Sequence, residues 1–281
     1  MNKLALGTVQ FGLDYGVTNS SGKATISEVR SILNFAKKNG VDTLDTAPIY
    51  GNSEQVLGRI GVNDFNVITK TTELNNSVEN VIDHFQKSLK NLHQNQIKGL
   101  LIHNFSDIKN NQFDTLFNKL YELKKEGVVR KIGFSTYSPN QIDFLLANFD
   151  FDLIQLPCNV FDSRLIEGGQ LKLLKNKGVE IHARSVFLQG ILLDFDKLSD
   201  YFLTWREKFE DYQSVVRESN LTLLEYSIKF VLGIPEIDKV LVGVNSESQL
   251  KEVVHAAKEK SNLKAYTIND INLLNPSLWK V

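Results

Sequence analysis

Leu44-Asp45-Thr46-Ala47-Pro48-Ile49-Tyr50-Gly51 is the stretch whose reading decides the fold of this 281-residue chain. Gly40 ends a helical segment before it, and another opens near Asn52 after it. A short apolar strand, Val41 to Leu44, therefore delivers Asp45 to its C-terminal end, and the following turn lifts Tyr50 above it. The pattern recurs downstream. Phe65-Asn66-Val67-Ile68-Thr69 ends in Lys70, and Gly99-Leu100-Leu101-Ile102 ends in His103. An acid, a phenol, an amine and an imidazole thus fall at the same end of three successive strands. In a barrel of alternating strands and helices, that rim is where chemistry collects.

Working outward, the strand–turn–helix unit repeats along the chain. Leu4 to Gly7 reads as the first strand, followed by the glycine-punctuated loop Gln10 to Gly16. Thr25 and Glu28 have capping-box spacing ahead of a helical face of Ile26, Val29, Ile32, Leu33 and Ala36. Asn52 is placed to cap the next helix. The fifth strand is Val129 to Phe134, ending in Ser135-Thr136, and Ser138-Pro139 reads as a helix start. The sixth, Phe151 to Leu156, carries Gln155, and the seventh, Val179 to Ala183, ends at Arg184-Ser185. A longer excursion from Phe187 to about Asn220 places Tyr201, Phe202, Trp205 and Phe209 in one helix. The eighth strand, Lys239 to Val242, leads through Gly243 to a helix capped by Ser246. Eight such units predict an α/β fold, a (β/α)8 TIM barrel. A doubly wound open sheet is weaker, because no Gly-x-Gly-x-x-Gly follows the first strand. The reading is a single barrel domain over 1–281. Residues 261–281 form a tail that packs on the barrel near its active face through Ile271, Leu273, Leu274, Leu278 and Trp279.

Composition narrows the function. Hydrophobic residues at 42% and charged ones at 23% describe a soluble globule, and a net charge of −1 argues against a nucleic-acid surface. No apolar run approaches the roughly 18 residues of a membrane helix. The N-terminus has too short an apolar core for a signal peptide. The one cysteine, Cys158, fits a reducing compartment, and the expected location is cytoplasmic. His84, His93, His182 and His255 have no setting like that of His103 and read as structural or exposed.

Asp45, Tyr50, Lys70 and His103, in this order and at these strand ends, resemble the catalytic tetrad of the aldo-keto reductase family. The likeness runs from Leu4-Ala5-Leu6-Gly7-Thr8 to the segment around Gln249-Leu250, and Gly7 to Gly16 and Ala183 to Gly190 look like a bacterial branch. Singly, each of the four is more often a packing, capping or solvated residue; their joint placement carries the reading. Carbonyl reduction needs a hydride on carbon and a proton on oxygen. A phenol keeps its proton at neutral pH, and a neighbouring ammonium stabilises the phenolate, so Tyr50 beside Lys70 suits a proton donor. Asp45 would orient Lys70, and His103 would hydrogen-bond the carbonyl oxygen. The protein has no hydride of its own, so a nicotinamide cofactor is implied.

The resemblance extends to that cofactor. It implies dinucleotide contacts at Gly7, Thr8, Asp45, Ser135, Thr136, Gln155, Arg184, Ser185, Gln189, Gly243, Asn245, Gln249 and Glu252. Thr136 stands where the family has Asn, and Arg184 where it often has an aromatic ring stacked on the nicotinamide. A planar guanidinium can also stack, and its charge would favour an anionic substrate group or tune the cofactor. Gly243 and Gln249 stand where many members place a Lys and an Arg against the adenosine 2′-phosphate. Asn245, Ser246 or Lys251 are the nearest replacements. NADP is the expected cofactor, with NAD the other candidate.

The expected function is NAD(P)H-dependent reduction of an aldehyde or ketone, a small polar or sugar-derived carbonyl. A nicotinamide-binding regulatory subunit with little turnover is the second reading. A Schiff-base role for Lys70 is remote, because Asp45 would keep the amine charged. Neither the oligomeric state nor a metal site is legible, since the histidines are scattered without ligand spacing.

Overall fold

The strands are β1 (Leu4–Gly7), β2 (Thr43–Asp45), β3 (Asn66–Lys70), β4 (Ile97–Ile102), β5 (Val129–Ser135), β6 (Leu153–Pro157), β7 (Glu180–Arg184) and β8 (Lys239–Gly243). The computed structural model describes residues 3–75, 77–196, 198–258 and 262–280. All pairings are parallel and follow sequence order around a closed barrel, with Leu4 beside Val240 and Gly7 beside Gly243 where β8 meets β1. This is the (β/α)8 TIM barrel that the alternating pattern predicts. Strand limits move by one or two residues, and Asp45, Lys70 and Arg184 prove to be the last residues of their strands.

Helices α1 (Ile26–Lys38), α2 (Ser53–Ile60), α3 (Val78–Leu92), α4 (Phe113–Lys125), α5 (Pro139–Asn148), α6 (Arg164–Glu167), α7 (Gln170–Asn176), α8 (Arg206–Glu218), α9 (Leu223–Gly233) and α10 (Glu247–Ala256) connect and follow the strands. The caps depart from expectation in four places, one being Ser138, which makes no side-chain bond at the start of α5. Thr25 accepts the Glu28 N–H at 3.2 Å, but the Glu28 carboxylate turns away and accepts the Glu247 N–H that opens α10, at 2.6 Å. Asn52 makes no cap bond and instead accepts from Lys23 Nζ at 3.2 Å. The reciprocal box lies at Thr222 and Glu225, ahead of α9. Ser246 does cap α10, accepting the Gln249 N–H at 3.2 Å.

Side-chain parity divides the core in two. Along each strand alternate residues point outward to the helices or inward to the barrel axis. Leu44, Val67, Leu100, Phe134 and Ile154 join the large layer between sheet and helices, whereas Ile68, Leu101 and Leu153 form a separate cluster inside the barrel. Gly99 makes room for that cluster: a Cβ there would lie 2.8 Å from both Ile68 and Leu153. Counting two residues on from the inner layer reaches Lys70, His103 and Gln155. The same phase holds Asp45, Ser135, Arg184 and Gly243.

The excursion after β7 is less regular than one helix. Asp200–Trp205 is a 3-10 segment carrying Tyr201, Phe202 and Trp205, and α8 begins after it with Phe209. The tail packs there. Trp205 Nε1 donates to Asp270 at 3.0 Å, Tyr201 OH donates to the Asn272 carbonyl at 3.0 Å, and Trp279 meets Phe202 edge-on. Backbone bonds from Tyr266 and Ile268 reach Val160 and Phe161 just beyond β6. Within α11 (Ile271–Leu274), Leu273 and Leu274 are buried, but Ile271 and, beyond it, Leu278 are exposed rather than anchoring. Ser261 and Val281, the ends of the expected tail, lie outside the described residues. No described helix is long and apolar enough to cross a membrane.

Candidate active site

At the C-terminal rim the β2–α2 turn carries Tyr50 over the barrel mouth. Two glycines set its position. A Cβ on Gly12 would meet the Tyr50 carbonyl at 1.8 Å, and one on Gly51, at φ +58°, would meet the Gly12 carbonyl at 2.4 Å. The loops after β1 and β2 therefore press backbone to backbone. Ser53 at the start of α2 fastens them further, donating to the Thr8 carbonyl at 2.9 Å.

Beneath Tyr50 lies a buried ion pair. Lys70 Nζ reaches both Asp45 carboxylate oxygens at 2.8 Å, the Thr46 carbonyl at 2.9 Å and Tyr50 OH at 3.4 Å. Lys70 and Asp45 are only 1% and 5% exposed at their side chains. The desolvation this entails is offset by the bidentate geometry and the extra acceptors. Burial alone would lower the Lys70 pKa, but Asp45 and then Tyr50 outweigh it, and the ammonium is held above its ordinary value. For Tyr50 the balance differs from the sequence expectation. Burial raises the phenol pKa above 10.0; Lys70 pulls it down, and Asp45 opposes that pull. The phenol therefore holds its proton firmly in the resting site.

His103 stands edge-on to Tyr50, with ring centroids 6.5 Å apart. Burial first, and then the Lys70 ammonium, push its pKa down to about 4. At neutral pH it is an uncharged imidazole able to donate one hydrogen bond. Gln155 joins the group by donating to Asp45 at 2.7 Å, so it braces the acid as well as lining the space above.

A cavity of about 550 Å³ opens over these residues, a size suited to a small-molecule or cofactor site. Gly7, Thr8, Asp45, Tyr50, His103, Ser135, Gln155, Arg184, Ser185, Gln189, Gly243, Asn245, Gln249 and Glu252 all line it. Two expected residues do not. Lys70 sits under the floor and acts on the cavity through its bonds to Asp45 and Tyr50 and through its charge on His103. Thr136 is fully buried, out of phase with Ser135, and its hydroxyl points back to the Gln155 carbonyl at 3.5 Å. Tyr137, the next residue, lines the cavity in its place. Arg184 lies on the Tyr137 ring, Cζ 4.1 Å from the centroid, and donates to the Thr136 carbonyl at 3.0 Å and to Ser185 at 3.1 Å. Of the replacements considered at the far end, Ser246 is committed to its cap, and Lys251 pairs with Glu247 at 2.7 Å.

The sequence reading missed Gln10 and Tyr15 from the loop after β1, both of which line the cavity. The Gln10 side-chain oxygen is buried without a hydrogen-bond partner. That orphaned acceptor and a wall rich in amides and hydroxyls fit a ligand bearing hydroxyl groups, as a dinucleotide does. Two loops cover this space and touch: a Cβ on Gly190 would come within 1.9 Å of Thr18 Oγ1. Elsewhere Cys158 is buried, and burial raises its thiol pKa further, so it has no part in nucleophilic chemistry. His182 is likewise buried, its Nε2 2.8 Å from Glu180, and does not line the cavity.

Comparison with known proteins agrees with this fold and places the chain in a family. The family model described as Aldo/keto reductase family matches residues 3–276. The chain is 26% identical to the "Uncharacterized oxidoreductase YqkF" of Bacillus subtilis (strain 168) over 304 residues, spanning 96% of this chain and 98% of the relative. It is 30% identical to "Glyoxal reductase" of the same organism over 197 residues, 67% of each chain. Among solved structures, the holo form of "aldo-keto reductase AKR11C1" from Bacillus halodurans superposes with a TM-score of 0.75 at 23% identity, covering 94% of this chain and 88% of the other.

Proposed function

Because this chain belongs to the Aldo/keto reductase family, we propose that it reduces the carbonyl of a small polar aldehyde or ketone, including sugar-derived ones, with a nicotinamide dinucleotide. The observation that carries this reading is Lys70 Nζ, shared between Asp45 at 2.8 Å and Tyr50 OH at 3.4 Å directly under the cavity. When bound, the reduced nicotinamide supplies the hydride. Ser135, Gln155 and Arg184 are the residues that would hold its ring end, and Gly243, Asn245 and Glu252 face the opposite arm of the cavity. The expected cofactor is NADP by family habit, but the side chains of that arm weigh towards NAD.

The chain's own groups divide the proton chemistry. Tyr50 donates a proton to the carbonyl oxygen as negative charge develops there. Its raised pKa keeps the donor loaded, and Lys70 stabilises the phenolate that remains. Asp45 keeps Lys70 charged and aimed. Neutral His103 donates a hydrogen bond to the same oxygen without competing as an acid. The complete tetrad gives no support to a binding subunit without turnover. The glyoxal-reductase likeness and the amides and hydroxyls set in the cavity wall favour short, oxygen-rich substrates, and the buried free cysteine suits a reducing compartment.

The test is Tyr50→Phe assayed by dinucleotide oxidation against a panel of short aldehydes, hydroxyketones and aldoses. Loss of the donor is expected to lower kcat by about 10²–10⁴-fold while dinucleotide binding persists. Full turnover by the variant would end the proposal.

A further inference from the structure

The arm of the cavity remote from Tyr50 is walled by residues around the start of α10, and its charge is one-sided. Glu252 lines it, and outside that lining the Glu28 carboxylate reaches across from α1 to take the Glu247 N–H at 2.6 Å. A helix start that could face a phosphate is therefore already occupied by an acid. Gln249 Oε1 accepts the Asn245 N–H at 2.7 Å, which spends a second backbone donor. Arg184 is the one Lys or Arg among the described residues lining the cavity, and it belongs to the β7 end.

Gln10 fills the space beside position 243. Its side-chain amide lies against Gly243, where a Cβ would come within 2.6 Å of Nε2 and 2.7 Å of Oε1. A lysine there would displace Gln10. The amide also leaves Oε1 buried and unpartnered in the cavity wall. An orphaned acceptor calls for a donor. Turned toward the cavity, it can accept from a ribose hydroxyl, whereas a phosphate dianion offers only acceptors.

We infer that Gln10, lying against Gly243 at the end of β8, and Glu28, at the start of α10, make this an NAD(H) site that rejects the 2′-phosphate of NADP(H). The inference rests on the reductase reading, since a nicotinamide placed at Tyr50 sends its adenosine into this arm. Gln10 supplies hydroxyl acceptance and fills the place of a lysine. Glu28 blocks the start of α10 and repels the extra charge. The pyrophosphate is common to both cofactors and cancels in their comparison.

Titration of the purified full-length protein with NADH and NADPH, read by quenching of tryptophan fluorescence, tests it directly. NADH is expected to bind about tenfold or more tightly than NADPH. The same order is expected for 5′-AMP over 2′,5′-ADP, which isolates the adenosine end. Glu28→Gln keeps a cap acceptor and removes the charge, and Gln249→Arg adds a guanidinium at an exposed position; each is expected to narrow the ratio by tightening NADPH severalfold. NADPH binding as tightly as NADH would overturn the inference and leave the reductase reading standing. Binding of neither dinucleotide would overturn both.

Discussion

The two rims of the barrel hold the same ionic groups in contrasting ways. At the N-terminal rim the pairs repeat one device. Lys124 at the end of α4 meets Asp152 at 2.7 Å, and Asp152 also accepts the Ile132 N–H of β5. Lys175 in the last turn of α7 meets Asp238 at 2.8 Å, and Asp238 accepts the Ile181 N–H of β7. In each case the acid before one strand ties the preceding strand to the helix beside it. At the C-terminal rim nothing repeats. Asp45, Lys70, Tyr50 and Gln155 meet once, below the surface, and their unused valences face a cavity. A recurring pair is architecture; a singular one, deeper and incompletely satisfied from above, is where chemistry is possible.

The largest expected break in that contrast is Lys70→Met. It strands the Asp45 carboxylate, 5% exposed, without its counter-ion and should cost about 3–5 kcal/mol in urea unfolding. Adding Asp45→Asn should restore part of the loss, a coupling that a double-mutant cycle reads. Uncoupled losses would mean that the pair is no unit.

Glu180→Gln makes the corresponding break at the other rim. Glu180 is held by Lys131 at 2.5 Å and faces His182 at 2.8 Å. Burial would raise its pKa, but these partners outweigh it and hold the carboxyl below its ordinary value. Its contribution is therefore present above the unfolded value of about 4.3 and is lost as pH falls through the folded one. The variant should lose about 1–3 kcal/mol at pH 7, with the difference from wild type narrowing below about pH 4, and turnover should stay as it was. A large fall in kcat with stability intact would dissolve the distinction between the rims.

The pH profile sharpens the upper rim. With His103 titrating at about 4, the imidazole stays neutral above that pH, and with Tyr50 raised above its ordinary value the donor stays protonated below it. Reduction should therefore be level across neutral pH and decline only at the alkaline end. The reverse oxidation, which needs the phenolate, should climb with pH. A break near pH 6.5 would show that His103 is charged in the working enzyme. The smallest effect is expected from Arg184→Met. Removing a cation beside a ring that is positive only when oxidised should tighten NAD⁺ relative to NADH by about three- to tenfold, measured by paired titrations.

Much of this was legible beforehand because parity is legible. Asp45, Lys70, His103, Ser135, Gln155 and Gly243 share the inward phase of their strands, and apolar neighbours give that phase away. Thr136 shows the same rule from the other side: one residue after Ser135 it points outward, and the next residue, Tyr137, returns to the cavity. What the sequence withheld depends on side-chain reach between distant segments. Nothing near Glu28 announces that its carboxylate crosses to α10, because Thr25 three residues earlier advertises a local cap. Gln10 lies in a glycine-rich loop whose path is set by contact with Tyr50 and Gly51. The exposed Ile271 and Leu278 show the opposite limit, since a four-residue helix and the 3-10 turn after it have too little periodicity to tell their faces apart.

The pairing of β1 with β8 has a consequence for how the molecule comes into being. Leu4 waits for Val240. During synthesis the first strand has β2 on one flank, and its other flank stays unsatisfied until nearly the whole chain has emerged. Contacts of such sequence separation raise contact order and slow folding, and a free strand flank is the surface on which chains associate wrongly. Closure should therefore be a late step, and chains interrupted before β8 should be cleared or should aggregate rather than persist as half-barrels.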